Sequence, residues 1–546
     1  MRIFATIYPF IESAEESYRL GRHVANYEFF RELLRYGTFD EYHIFCMNVA
    51  HYRATAEKLR QEAIPVECKE KVRLFLYQHL FEQLQTQEYE VFHLGGWGYF
   101  FAGLVHLRNR YARVPFPVTG VIHSLNGQET PFHAMKVACA PLLPCDTIVC
   151  SSDAGRRVLE KSFGALEAVA AAGNGSGFRG KTAILPLGVS EDFATGSDRT
   201  ECRQRLGLPR QGTMVLSVGR FSPQTKADLY PLLATVARLA REREDLFLVL
   251  AGGGSAGQVQ LVRTMAAELG IEGKTVIVQN FDVSEKPLLY GAADIYVSIS
   301  DNLQETFGIS VVEAMASGIP VVVSDIDGYS ELVEEGVQGY RIPTLWTGRL
   351  DMAELADLMN FDTMQLLLAQ CMVVDTEAML GVLRRLSGDS SLREVLGQKG
   401  RERVAQRYAW PIIIEQYEAL WKQLKQEAVR GEGAMEARSN PFMHDYLQAF
   451  SHYPTGIVGG NHRCTVTVAG KETIEAGRLP TPYSDVEPLL DIPFAAAALK
   501  ALASGAARSI GELTGTDGNA ASGDRKLFTL LWMAKYGLVQ IAAPGS

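Results

Sequence analysis

Two doubly wound α/β units with parallel sheets, followed by a smaller and mostly helical module, form the architecture that the sequence predicts. Three observations carry it. The chain has 546 residues, beyond the size at which a single hydrophobic core stops growing. Short β-rich apolar runs alternate with helical patterns in two successive series, and strand-helix alternation predicts parallel sheets covered on both faces. The alternation stops near Gly431-Glu432-Gly433-Ala434, where the composition changes. Hydrophobic residues at 47% and charged residues at 21% are ordinary globular values and exclude a disordered or fibrous chain.

In the first unit, residues 1–187, the strands read as Ile3 to Tyr8, Tyr42 to Met47, Val91 to Leu94, Val118 to His123 and Thr147 to Cys150. Helical patterns such as Glu28 to Tyr36 and Val72 to Leu84 separate them. Ala170 to Gly180, rich in Ala, Gly, Asn and Ser, reads as a loop. The second unit, 188–409, has strands at Met214 to Gly219, Phe247 to Ala251, Val276 to Gln279, Ile295 to Ile299 and Val321 to Ser324. From Asp375 the pattern is helical, and a final helix over 410–428 closes the pair. Leu345 to Met379 reads as an insertion before those helices. Two such units leave a cleft between the carboxyl ends of their strands, where open α/β sheets bind ligands. The module at 430–546 reads as helix (Ala495 to Ala503), short helix (Ser509 to Thr514), helix (Lys526 to Tyr536) and strand (Gly537-Leu538-Val539). That is the order of a winged-helix module.

The eight cysteines are scattered, without C-x-x-C or zinc spacing, and read as mostly buried thiols of a cytosolic protein. The N-terminus reads as a first strand, not a signal peptide, and no apolar run reaches the roughly 18 residues of a membrane span. A cytoplasmic protein, at most peripheral at a membrane, is the expectation. The net charge of -10 argues against nucleic-acid binding as the main task.

The chemistry concentrates at residues 301–323. A strand ends near Ser300, a polar loop carries Glu305, Gly308 permits close backbone approach, and a helix opens near Ser310 with Glu313 in its first turn. The unpaired N–H groups of a helix start suit a diphosphate. Carboxylates do not bind phosphate, so Glu305 and Glu313 are expected to accept hydrogen bonds from sugar hydroxyls. Taken singly, each also fits a plainer role, Glu313 complementing the helix dipole and Glu305 solvated. Arg220 and Lys226, after the strand ending at Gly219, supply two cations facing the same cleft, a pair able to hold a departing pyrophosphate.

These residues carry a resemblance. Glu305 and Glu313 within E-T-F-G-I-S-V-V-E-A-M-A-S-G-I-P-V-V look like the E-x7-E motif of retaining glycosyltransferases of family 4, which have the GT-B fold. Gly219-Arg220 with Lys226 is similar to that family's phosphate clamp, Pro186-Leu187-Gly188-Val189 to its hinge, and Tyr408-Ala409-Trp410 through Tyr417 to its closing helix. The resemblance spans about residues 1–428 and implies a metal-independent, retaining hexosyltransferase. Its donor would be a nucleoside-diphosphate sugar, UDP- or GDP-linked, held mainly by the second domain. The acceptor, a glycan, lipid-linked molecule or protein, would be held mainly by the first. It further implies that Glu313 holds the ribose, and that Glu305 and Thr306, the backbone of Phe307, Gly308 and Ile309, and Ser310 hold sugar and phosphate. Arg220 and Lys226 would clamp the diphosphate, and His123 would point at the donor sugar. No cofactor is implied. The family's Gly-Gly loop after the first strand is missing. Tyr8 to Glu12 stands there instead, and Arg22 and His23 are substitutes for its phosphate contact.

Gly252-Gly253-Gly254-Ser255-Ala256-Gly257 fits the dinucleotide pattern G-x-G-x-x-G, but it follows an internal strand rather than the first of its unit. Arg108, Arg110 and Arg113, ending the helix Tyr99 to Tyr111, suit either an anionic lipid or the helix dipole. Tyr77, Tyr99, Phe100 and Phe101 read as core. The 430–546 module, with balanced charge, reads as a protein-contact, self-association or acceptor-docking unit rather than a DNA reader. A sugar-nucleotide epimerase and a catalytically silent binding subunit remain the alternatives to a transferase. Formal charge is about +1, about -10 and about -1 over 1–189, 190–429 and 430–546, so the acidity lies in the expected donor domain. Any diphosphate must therefore be held by local groups.

Overall fold

The computed structural model describes residues 1–546 except 8–20, 172–176, 195–197, 280, 282, 432–434, 436–439, 441, 516–519 and 544–546. The first sheet has seven parallel strands: β1 (Ile3–Ile7), β2 (Glu41–Cys46), β3 (Val72–Leu76), β4 (Tyr89–Leu94), β5 (Val118–Val121), β6 (Thr147–Cys150) and β7 (Lys181–Ile184). Their spatial order is β3-β2-β1-β4-β5-β6-β7. The second has six: β8 (Thr213–Val218), β9 (Leu246–Gly252), β10 (Thr275–Gln279), β11 (Ile295–Ser298), β12 (Val321–Ser324) and β13 (Gly339–Ile342), ordered β10-β9-β8-β11-β12-β13. Each sheet carries a hydrophobic core on both faces, the reason its strands are nearly continuous apolar runs. Two doubly wound parallel-sheet domains are thus present, and in each the strand order reverses beside the first strand, opening a crevice at the carboxyl edge.

Three strands differ from the sequence reading. Val72 to Leu84 is not one helix: Val72–Leu76 is the edge strand β3, and the helix begins only at Leu80. β3 is only partly buried along its length, so its sequence carries no clean strand period. The four-residue edge strands β7 and β13 were not read as strands, being short and partly polar. The expected loop at 170–180 begins later, because its preceding helix runs Asp153–Ala171; residues 172–176 lie outside the described ones.

The two crossings between domains lie side by side. Val189 N–H donates to the Tyr408 carbonyl at 2.9 Å, and Val189 bridges to Ala409. A Cβ on Gly188 would lie 2.3 Å from the Trp410 ring, so only glycine fits this hinge. The helix Trp410–Val429 then returns to the first domain. It buries Trp410, Ile413, Ile414, Tyr417 and Trp421 against Phe4, Phe29, Phe39 and Tyr42. At about 1.5–3 kcal/mol per buried large apolar side chain, this contact fixes the helix firmly there.

The third unit has its own core around Cys464, Leu499, Leu502, Leu530 and Met533. Its sheet is antiparallel, ordered β15-β14-β16, with β14 (Arg463–Val466), β15 (Arg508–Ser509) and β16 (Val539–Ala542). The central strand thus comes from upstream of the helices, and the helical order is accompanied by no wing hairpin among the described residues. The unit is tied to the first domain: Val49 N–H donates to Asp485 Oδ1 at 3.1 Å and Asn440 Nδ2 to the Lys136 carbonyl at 2.8 Å. Among the described residues no helix is long and apolar enough to cross a membrane.

Candidate functional site

The loop that carries Glu305 lies at the carboxyl end of β11. A backbone φ of 103° at Gly308, and a would-be Cβ 2.3 Å from the Tyr329 ring, make glycine obligatory there. This turn launches the helix Ile309–Ala316 with no side-chain cap, so its first N–H groups have no side-chain partner among the described residues. Phe307 is buried against Tyr408, and Ser310 is buried in the first turn of the helix.

At the carboxyl end of β8, Lys226 forms an ion pair with Glu305. Burial alone would lower the Lys226 ammonium, but the adjacent Glu305 carboxylate outweighs it and holds that pKa above the ordinary lysine value. Arg220 Nη2 donates to the Thr225 carbonyl at 3.3 Å. Beneath Arg220 and Lys226 the cavity is only about 20 Å³, about one water. The clamp is filled by its own side chains.

Glu313 is in the second turn of its helix, not the first, and is buried. One carboxylate oxygen pairs with Lys286 and the other accepts from Tyr290 Oη at 2.8 Å. Burial, then the Glu313 charge, raise the Tyr290 phenol well above its usual value. The dipole reading of Glu313 therefore gives way to a charge-balanced cluster. Glu28, on the helix Gly21–Tyr36 of the first domain, joins it: burial first, and Glu313 second, push its carboxyl up to about 7.

His123 stands across the cleft. Its Nε2 lies 3.1 Å from Asn26 Oδ1 and 3.0 Å from the Gly95 carbonyl, two acceptors that require the proton on Nε2. Thr306 Oγ1 donates to the His123 carbonyl at 2.8 Å, and Ser151 Oγ to the Thr306 carbonyl at 3.4 Å. Glu331 accepts from the N–H groups of Asp153 and Ala154 at 2.9 and 2.8 Å, capping a first-domain helix from the second domain. The structure thus brings Arg220, Lys226, Glu305, Thr306, Gly308 and Ile309 together around one edge of the cleft and sets His123 opposite. Glu313 and the Ser310 hydroxyl lie beneath that surface.

Sequence reasoning missed Lys286, Tyr290, Asn26 and Glu28, which bind or charge the named residues from distant segments and carry no local motif. Of the substitutes for the missing glycine loop, 8–12 and the Arg22 side chain lie outside the described residues. Arg108 is corrected outright: it is fully buried, with Nη2 2.9 Å from Asp146 Oδ2, and cannot meet a lipid. Tyr77 and Tyr99, read as core, are exposed. The glycine run 252–254 has a structural reason, since a Cβ on Gly252 would lie 1.8 Å from the Gly219 carbonyl oxygen where β8 and β9 end together.

The insertion is an antiparallel pair of short strands, Thr344–Leu345 with Val373–Val374, enclosing a 3₁₀ segment and the helix Phe361–Ala369. It spans the cleft. Asn126 Nδ2 donates to Gln365 Oε1 at 2.6 Å, Gln128 Nε2 to the Ala356 carbonyl at 2.6 Å, and Gln370 Nε2 to Asp228 Oδ2 at 2.9 Å.

Two parallel-sheet domains with a nest of cations, carboxylates and a helix start between them define the GT-B architecture. Solved structures share it. The Anabaena HepE protein in complex with UDP and glucose is 17% identical with a TM-score of 0.52, covering 77% of this chain and 99% of that one. Sucrose-phosphate synthase from Thermosynechococcus elongatus is 19% identical with a TM-score of 0.53, covering 78% and 99%. Residues 198–347, within the second domain, match the family described as "Glycosyl transferases group 1". A D-inositol 3-phosphate glycosyltransferase of Geodermatophilus obscurus is 34% identical over 166 residues, 29% of this chain and 36% of that protein. A phosphatidyl-myo-inositol mannosyltransferase of Mycobacterium tuberculosis is 29% identical over 251 residues, 46% and 55% respectively. The chain thus spans about a third to just over half of the length of these curated relatives.

Proposed function

We propose that the protein is a retaining glycosyltransferase that moves a hexose from a UDP- or GDP-sugar to an acceptor hydroxyl. The observation that carries this reading is the convergence of Arg220, Lys226, Glu305 and the uncapped helix start at Ile309 on one edge of the cleft. A pyrophosphate has the charge and oxygens to replace Glu305 as the partner of Lys226, and Glu305 is then released toward the sugar hydroxyls. The names of the curated relatives, glycosyltransferase and mannosyltransferase, support the same class.

In the proposed reaction the acceptor oxygen attacks the anomeric carbon from the face that the diphosphate leaves. The bond to the leaving phosphate breaks as the new glycosidic bond forms, and a phosphate oxygen takes the acceptor proton. Arg220, Lys226 and the helix N–H groups stabilise the charge that collects on the diphosphate, fixed donors aimed where negative charge develops. That electrostatic work needs no bound metal. His123, held with its Nε2 proton on Asn26 and Gly95, faces the sugar from the other domain. The acceptor belongs to the first domain, with the insertion closing over it and the 430–546 module as a docking surface; 1–187, 188–409 and 430–546 are the corresponding units.

The deciding experiment is a thermal-shift series with UDP and GDP, alone and as hexose conjugates, followed by product analysis. A ligand that binds only the native state raises its stability by mass action. The expected result is a shift with one nucleoside diphosphate and transfer or slow hydrolysis of its sugar, in excess chelator, with the α-configuration kept. Epimer formation without nucleotide release would identify the epimerase instead, and no shift with either series would leave a binding subunit.

A further inference from the structure

After β12 the chain turns through 325–328 before the short helix Tyr329–Leu332, at the carboxyl edge of the second sheet. Within that turn Asp327 has φ 50°, and no other non-glycine residue among the described ones has a positive φ. This conformation is rare for residues with a side chain, though Asp and Asn tolerate it best. The next residue is pressed onto the donor loop: a Cβ on Gly328 would lie 2.5 Å from the Thr306 carbonyl oxygen and 2.7 Å from Phe307 Cα. Asp327 is therefore locked beside Glu305-Thr306-Phe307 by packing on its own backbone.

Its side chain is underused by the protein. Oδ1 accepts the Gly328 N–H at 2.9 Å, while Oδ2 has no hydrogen-bond partner and the carboxyl no ion-pair partner among the described residues. Burial first, and the Glu305 charge second, push the carboxyl up to about 7. The cation of the loop is committed, because Lys226 is paired with Glu305. A partly buried, unpaired carboxyl beside a second carboxylate contributes nothing to stability. What it supplies is a hydrogen-bond acceptor at the edge of the cleft where the proposed donor sugar lies.

We propose that Asp327 is a sugar-selecting residue: with Glu305 it receives the hydroxyl groups of an uncharged hexose, and it turns away donors whose sugar carries a carboxylate. Sugar hydroxyls are donors that two carboxyl groups accept readily. A uronic acid would set a third carboxylate against them with no cation left over, which is discrimination by repulsion rather than by added attraction. The inference rests on the donor-site reading above.

The test uses the full chain as wild type, Asp327→Asn and Asp327→Gly. Asn keeps the shape and tolerates the positive φ, and Gly suits that φ without a side chain. Probes are UDP, UDP-glucose and UDP-glucuronate, with GDP, GDP-mannose and GDP-mannuronate as the second series. In the wild type the hexose conjugate is expected to be preferred over the uronate by at least a hundredfold in kcat/KM. Both variants are expected to keep the shift given by the nucleoside diphosphate alone. They should lose at least tenfold in kcat/KM for the hexose donor, and the hexose-to-uronate ratio should fall by at least tenfold. Variants with the wild-type ratio, or a wild type that uses both sugars equally, would overturn the assignment. Absence of any shift with UDP or GDP alone would instead overturn the donor-site reading, and this inference with it.

Discussion

The proposed donor loop 305–313 and the insertion 344–374 face the same cleft, yet one was legible in the sequence and the other was not. The donor loop is a local object. Its turn, glycine and helix start follow one another along the chain, and each step has a side-chain or backbone requirement of its own, such as the left-handed φ at Gly308. The insertion works through distant partners. Gln365, Gln370 and the carbonyls of Ala356 and Met359 meet Asn126, Gln128 and Asp228 more than a hundred residues away. Amides on a polar segment announce no chemistry until the fold chooses their partners.

The largest effect that separates the two regions is expected at Arg220. Arg220→Ala should lower kcat/KM by about 10²–10³-fold, the scale of losing one preorganised donor to a developing anion. The melting temperature should change little, because the bond from Arg220 to the Thr225 carbonyl is a long one at 3.3 Å. Steady-state kinetics with a melting curve read both. A large loss of stability with intact kinetics would show Arg220 to be structural and would erase the contrast.

A smaller effect is expected in the insertion. Gln365 is buried and exchanges hydrogen bonds with Asn126 in both directions, at 2.6 and 3.2 Å. Gln365→Ala leaves Asn126 without them, a cost of about 1–3 kcal/mol. Hydrogen exchange should speed up in 122–130 and 351–370 while 305–316 stays protected. Equal deprotection of the donor loop would mean that the two regions form one cooperative unit.

A further effect is a pH dependence across the cleft. Burial, then Glu313, raise the Glu28 carboxyl to about 7, with Lys286 and Arg31 pulling it down and Glu32 pushing it up. A folded pKa above the unfolded value means that Glu28 contributes stability below its unfolded pKa, near 4.5, and that this is lost as pH rises through about 7. Glu28→Gln should therefore match the wild type near pH 4.5 and be the more stable protein at pH 8. Denaturant midpoints at the two pH values check this, and identical pH slopes would remove Glu28 from the cluster.

Much of the fold was legible because burial on two faces leaves its mark residue by residue. β8, β9 and β11 are central strands with nearly continuous apolar runs. The edge strands β3, β7 and β13, half exposed or short, carry a weaker pattern and were misread or missed. Within the site, Glu305 and Arg220 were found from their neighbours in sequence. Glu313 was also found, but its setting was not: Lys286 and Tyr290 come from another helix and turn an apparent helix-start carboxylate into a buried ion pair.

By itself the sequence determined the two doubly wound units, the hinge, and the run of residues that makes the uncapped helix start at Ile309, because periodicity and local backbone geometry are written over a few residues at a time. Only the tertiary structure decided which charge faces which. It paired Lys226 with Glu305, buried Arg108 on Asp146, set Glu331 on the helix at Asp153, and left Asp327 beside Glu305 without a cation. Charge pairing depends on distances of a few ångströms between segments far apart in the chain, and those distances exist only once both sheets have packed.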